Sequence, residues 1–364
     1  MSTLHAASDI TSDITSDAAS LAVPYGTRTR RRRPAYAIAA LLALAWIVVP
    51  FIGNDYWLSA ILTPFLILSI AGLGLNLLTG YAGQLSLGTA AFMSVGAYAT
   101  YNFVLRIPAL PLVVDLALGG IVTAIVGVIF GLPSLRIKGF YLIVSTLAAQ
   151  FFVEWVFTRF SWFSNDDTSG VLSAPRLAIA GIRIDSPATR YLLVLGVATA
   201  LFVLTSRIVR SELGRRWMAL RDMDTAASVI GIPLARTKLL AFAVSSFVIG
   251  IAGALWAFAY LGTVEPHGFD LSLSFNVLFI IIIGGMGSIW GNFLGAAFIV
   301  LLPILLSNLG GALATIGLDA SALQNLQKIV FGVLIIGFLV KEPDGLARLA
   351  QIAARRLRDW PLKP

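Results

Sequence analysis

The chain has 364 residues, 58% hydrophobic and 12% charged, with a mean hydropathy of +0.89. Soluble domains carry about a quarter charged residues, so a water-soluble fold is excluded and lipid must solvate most of this apolar surface. The net charge of +8 sits in short stretches between apolar runs, which speaks against nucleic acid, and the absence of cysteine removes disulfides, thiolate metal sites and cysteine nucleophiles.

Residues 1–27 are rich in Ser, Thr, Asp and Ala and repeat the pattern Asp9-Ile-Thr-Ser, Asp13-Ile-Thr-Ser. Such a segment buries too little apolar surface to offset its ordering entropy, and it reads as a disordered tail. The Arg cluster Arg28, Arg30, Arg31, Arg32 and Arg33 closes this tail, 1–34, and an apolar run to Gly53 follows. No small-residue cleavage site precedes Asn54 and Asp55, so the run reads as an uncleaved first span rather than a signal peptide.

A membrane-crossing helix needs about 20 apolar residues. The runs at 35–53, 57–79, 86–104, 109–132, 139–159, 190–206, 239–261, 273–287, 291–308 and 326–340 meet or approach that length. The fold expected is all-α, a polytopic bundle of about ten transmembrane helices over 35–340, followed by a basic tail, 341–364. The stretch 86–104 has the features of a re-entrant or broken helix. Gly284, Gly285, Gly287 and Gly291 interrupt 273–308. No stretch shows the period-2 alternation of a barrel strand. With the N-terminus inside, most of the 26 basic residues fall in the tails and inner loops. That asymmetry predicts an even number of spans and both termini cytoplasmic.

The inner loop, 207–238, predicts one amphipathic helix over 212–230. Ser211 is placed to cap it, Glu212 lies in its first turn, and Gly231 with Pro233 ends it. Leu213, Trp217, Leu220, Met223, Ala227 and Ile230 recur every three or four residues as one apolar stripe. The stripe needs a cover: the chain's own bundle, the lipid interface, or a groove on a partner.

Further along the apolar spans, Asn76, Thr79, Gln84 and Ser86 accompany a run of glycines. Broken transporter helices show such residues where they line a path for a polar solute, although the same residues also serve as interhelical glue. Asp115 and Glu154 lie inside apolar spans, where carboxylates are costly and often functional. Both are near a span end, so interfacial placement, or pairing of Glu154 with Arg159, is the alternative. The segment 284–288, GGMGS, has no cation beside it and reads as close helix packing or a helix break. No zinc ligand set exists, because His5 and His267 are the only histidines. No lysine precedes Ser or Thr, so the chain has no phosphate-binding G-x-x-x-x-G-K-[ST] loop and cannot itself hydrolyse ATP. No cofactor is expected.

Five segments, in order, resemble the branched-chain amino acid permease family of ABC importers, the LivH/LivM type and closer to LivM. They are GLGLNLLTGYAGQLSLGTAAF (72–92), LRIKGFYLIVSTLA (135–148), the loop and helix 213–257, IIGGMGSIWGNFLGA (282–296) and KEPDGL (341–346). The resemblance implies a subunit of an importer of branched-chain amino acids or related small polar solutes in the bacterial inner membrane. It also implies the partners: a second homologous permease, two cytoplasmic ABC ATPases and a periplasmic solute-binding protein. The family's Glu-Ala-Ala loop signature falls here on Thr225, Ala226, Ala227 and Gly231, with Asp224 beside the substituted first position. The resemblance implies that this helix, with Leu213, Trp217 and Leu220, docks on the ATPase. In the outer loop, about 160–189, NDDTSG (165–170) places Asp166 and Asp167 where many members have glycine. These carboxylates are solvated charges, a contact for the binding protein, or the mark of a different solute such as urea or a short amide. An ion-gradient-driven secondary transporter is the alternative of another class; it would need ionisable residues at mid-membrane, and only Asp115 and Glu154 are offered.

Overall fold

In the computed structural model, the described residues are 44–137, 139–164 and 186–314, with shorter pieces within 172–184 and 329–352. The chain divides into two compact units, Met1–Val48 and Val49–Pro364. Of the first unit, residues 44–48 are described, and they are mostly helical. The helical bundle belongs to the second.

The long helices are α1 (Trp57–Tyr81), α2 (Thr89–Arg106), α3 (Leu112–Gly131), α4 (Phe140–Arg159) and α5 (Pro187–Arg210). Two short helices, α6 (Glu212–Asp222) and α7 (Asp224–Val229), occupy the inner loop. Helices α8 (Leu234–Leu261), α9 (Leu271–Gly284) and α10 (Ile289–Ala314) complete the set. Among the described residues, seven helices are long and apolar enough to cross a membrane. Helix α2 is of similar length but is walled in by its neighbours, with Ala90, Phe92, Met93 and Tyr98 all buried. The expected spans 35–53 and 326–340 fall largely outside the described residues, as do the tail 1–34, most of the C-terminal tail 341–364 and the pair Asp166 and Asp167.

Helix α8 is the hub and packs on α3, α2 and α1. Lipid supplies no hydrophobic drive between helices, so close backbone approach has to replace it. A Cβ at Gly96 of α2 would overlap the carbonyl of Gly250 on α8, and one at Gly253 would overlap the carbonyl of Met93. The outward faces are apolar: Val113, Ile121 and Ile125 of α3 and Phe140, Tyr141 and Trp155 of α4 are exposed. In water such faces would aggregate; in a bilayer they meet acyl chains.

Two expectations need correction. The stretch 86–104 is not a broken helix: α2 is continuous, and the irregular backbone lies before it, at 82–88. The outer loop carries short strands that the sequence did not announce: β1 (Leu172–Ser173) pairs antiparallel with β4 (Thr263–Val264), and β2 (Ala178–Ile179) with β3 (Ile182–Arg183). Two-residue strands are too short to leave a periodic signal. The inner loop does not form one helix over 212–230, since Met223 adopts φ −159°, ψ 98° and splits it into α6 and α7. The Gly-rich interruption of 273–308 is a corner between α9 and α10, turned by Gly285 at φ 108° and Gly287 at φ 75°.

Candidate functional site

The inner loop and the 82–88 break lie on the two sides of one cavity. Its volume is about 350 Å³, and its walls include Gly83, Gln84, Leu142, Arg221, Asp224 and Lys238.

Helix α6 is tied to the bundle through its apolar face. Trp217 is fully buried with Leu77, Leu78, Tyr81, Leu142 and Phe242, and its Nε1 donates to the Thr237 carbonyl at 3.1 Å. Leu213 packs against the same cluster and Leu220 is buried. The first half of the predicted stripe is therefore covered by the chain's own helices. The Ser211 hydroxyl does not cap α6; it donates back to the Ile208 carbonyl at 2.6 Å.

Helix α7 is different. Ala227 is buried, but Met223, Val229 and Ile230 are 62, 85 and 72% exposed. Thr225, Ala226 and Gly231 are exposed as well, and Asp224 is half-buried. Gly231 ends the helix at φ 86°, a conformation that disfavours side-chain-bearing residues. The second half of the predicted stripe is therefore left uncovered among the described residues.

Arg221, at the end of α6, joins the loop to α1. Its Nη1 donates to the Gly80 carbonyl at 2.9 Å, and its Nε donates to Asp222 at 2.9 Å. One turn earlier in α1, Asn76 bonds the corner between α9 and α10. Its Nδ2 donates to the Ser288 carbonyl at 3.0 Å and to Asn292 Oδ1 at 3.2 Å, while its Oδ1 accepts from the Gly287 amide at 2.8 Å. Among the described residues, Asn76 therefore spends its side chain on holding helices together, and so does Ser245, which donates to the Gly74 carbonyl at 2.7 Å.

Thr79 donates to the Gln84 carbonyl at 3.2 Å, and the Gly88 amide donates to Ser86 Oγ at 3.3 Å. These bonds shape the break. Beyond it, α2 begins with its first amides buried inside the bundle, where they need acceptors. Gln150 of α4 takes the Ala91 amide at 2.7 Å, Ser274 of α9 takes the Ala90 amide at 2.8 Å, and Thr146 of α4 takes the Leu87 amide at 3.0 Å. Gln150 Nε2 also donates to the Phe269 carbonyl at 2.9 Å. Gln150 and Ser274 carry no motif in the sequence, and Thr146 and Arg221 fall inside the family-like segments 135–148 and 213–257 without any bonding role being legible there.

Asp115 and Glu154 do not join this group, since no side-chain hydrogen bond links either to it. Asp115 lies in the first turn of α3, at the end of its span, and is buried at 2% exposure; among the described residues its Oδ1 has no hydrogen-bond partner. Glu154 is half-buried on α4 and makes no ion pair with Arg159.

The bundle, the corner at 284–288 and the loop 213–231 all lie within residues 57–339, which match the family described as "branched-chain amino acid transport system / permease component". The chain belongs to this permease family. The permease is 33% identical over 287 residues to the high-affinity branched-chain amino acid transport system permease protein LivM of Salmonella typhimurium, and 32% identical to that of Escherichia coli. Each match covers 71% of this chain and 65% of the relative's length. A probable LivM of Methanocaldococcus jannaschii is 25% identical over 79% of the chain and 92% of its own length. No solved structure matches the permease significantly.

Proposed function

We propose that this permease is the membrane-embedded subunit of an ATP-driven importer in the bacterial inner membrane, moving branched-chain amino acids or closely related small polar solutes. Its termini face the cytoplasm, and it works with a second permease, two ATPase subunits and a periplasmic solute-binding protein. Family membership and the LivM relatives support the solute class and the reliance on a separate ATPase.

The observation that carries the coupling role is the uncovered apolar edge of α7 beside a firmly anchored α6. Met223, Val229 and Ile230, with Thr225, Ala226 and Gly231 alongside, are the surface for the ATPase. Leu213, Trp217 and Leu220 serve that contact by fixing the loop. ATP-driven motion enters at α7 and reaches the membrane through Arg221 at Gly80 and through Asn76 at the α9–α10 corner. The polar break around Thr79, Gln84 and Ser86, braced by Gln150 and Ser274, is the element of the path that responds.

Val229→Asp and Ile230→Asp test this reading. Both positions are exposed, so the fold should tolerate the change within about 0.5 kcal/mol. An unpaired charge buried in a partner's cleft costs several kcal/mol, enough to lower docking by roughly a hundredfold. Capture of the ATPase subunit and solute uptake should both fail in the variants. Normal capture and normal uptake with both would remove α7 from the interface.

A further inference from the structure

Helices α3 and α4 both pack on α2, and between them a cavity of about 590 Å³ opens to the outside of the bundle. Val95, Val126, Ile129, Phe130, Phe152 and Phe157 form its walls. Ile129 and Phe152 are 56 and 54% exposed, so the opening lies on a surface that faces the bilayer. Arg106, the last residue of α2, stands at one end of the cavity together with Trp162. Its guanidinium lies 3.7 Å over the Trp162 ring, and Nη2 donates to the Trp162 carbonyl at 3.1 Å. Arg106 has no carboxylate partner among the described residues.

We propose that a bilayer phospholipid occupies this cavity, with one acyl chain between α3 and α4 and its phosphate on Arg106. Away from Arg106, Asn102, Tyr98 and Trp162 the wall offers water no hydrogen bonds, and an empty space would forfeit dispersion contacts along three helices. Hydrocarbon is the medium at the opening and fills it without either loss. The cavity size lies in the range of ligand pockets, about 300–1,000 Å³. At the polar end, a guanidinium held over an indole keeps several N–H donors for an anion, and a phosphate accepts two of them in parallel. Arg and Trp together at a helix end also match the level of lipid headgroups. Arg106 is the single charged residue in the lining of a largely apolar cavity, the charge pattern of an amphiphile with one anionic group near its tails. An apolar helix from another protein would leave Arg106 unmatched.

The test uses the full chain in nanodiscs containing phosphatidylglycerol with a photoreactive group in the acyl chain. Labelling concentrates on Val126 and Phe152 and exceeds that on Leu301 and Leu305, exposed on α10. Loss of the charge-assisted contact in Arg106→Gln lowers cavity labelling about tenfold, whereas Arg106→Lys keeps most of it. Filling the cavity with Val126→Trp removes the labelling and leaves that on α10 unchanged. A photoreactive diacylglycerol without phosphate labels the cavity about tenfold less than the phospholipid. The proposal is overturned if cavity residues label no more than α10, if Arg106→Gln labels like wild type, or if the phosphate-free probe labels equally well. Crosslinking of the cavity to another protein in native membranes would overturn it too.

Discussion

Trp217→Ala separates anchoring of the inner loop from direct contact with an ATPase. The indole is fully buried, so its removal forfeits its packing and leaves a cavity, about 3–5 kcal/mol for such truncations. Trp217→Phe keeps most of the apolar contact but gives up the Nε1 bond to the Thr237 carbonyl, which retains its intrahelical partner, at a cost of about 0.5–1.5 kcal/mol. These costs fall on attachment of α6 to the bundle, because α7 continues from its far end. Amide exchange across 212–230 should therefore quicken about a hundredfold or more in Trp217→Ala and up to about tenfold in Trp217→Phe. The assay is hydrogen exchange on the purified chain without partners, followed by ATPase capture with the same preparations. Capture should fall in the order of the exchange rates. If Trp217 instead touched the ATPase, exchange in the isolated chain would stay at the wild-type rate while capture dropped. That result would refute the anchoring argument.

Asn76→Leu strands the Gly287 amide at the α9–α10 corner and removes one of the bonds to the Ser288 carbonyl, which keeps its partner in α10. At about 1–3 kcal/mol per stranded group, thermal unfolding in detergent should begin several degrees lower, and Asn76→Gln should not restore it. Gly96→Val drives a side chain into the Gly250 carbonyl and should destabilise the α2–α8 crossing by more than the usual 1–3 kcal/mol for overpacking, roughly, because backbone has to move; expression and melting temperature report it. Reporter fusions at both ends should score as cytoplasmic, and one in the loop between α4 and α5 as external. The purified permease should hydrolyse no ATP until its ATPase subunit is added.

Where the helices lie was legible in the sequence. Hydropathy is a local property, and a run of apolar residues in lipid has to satisfy its backbone within itself, which leaves the helix as the answer. The interruption at Gly284–Gly287 was legible for the same reason, because two glycines at positive φ, Gly285 and Gly287, turn the corner there. Motif order was legible too, since the family's segments recur along the chain without rearrangement. Tertiary structure decided the rest. The apolar spacing from Leu213 to Ile230 runs on as if through one helix, yet Trp217 is held by Thr237, the backbone extends at Met223, and of the stripe beyond it Ala227 alone is buried. Asp115 sits near a span end, as its place in the sequence says, but that its neighbours bury it could be known only once the helices had packed. Gln150 and Ser274 carry no signature, for their importance is that two distant helices bring them to the unpaired amides at the start of α2. Local sequence determines which segments become helices; which polar group answers which depends on the helices having met.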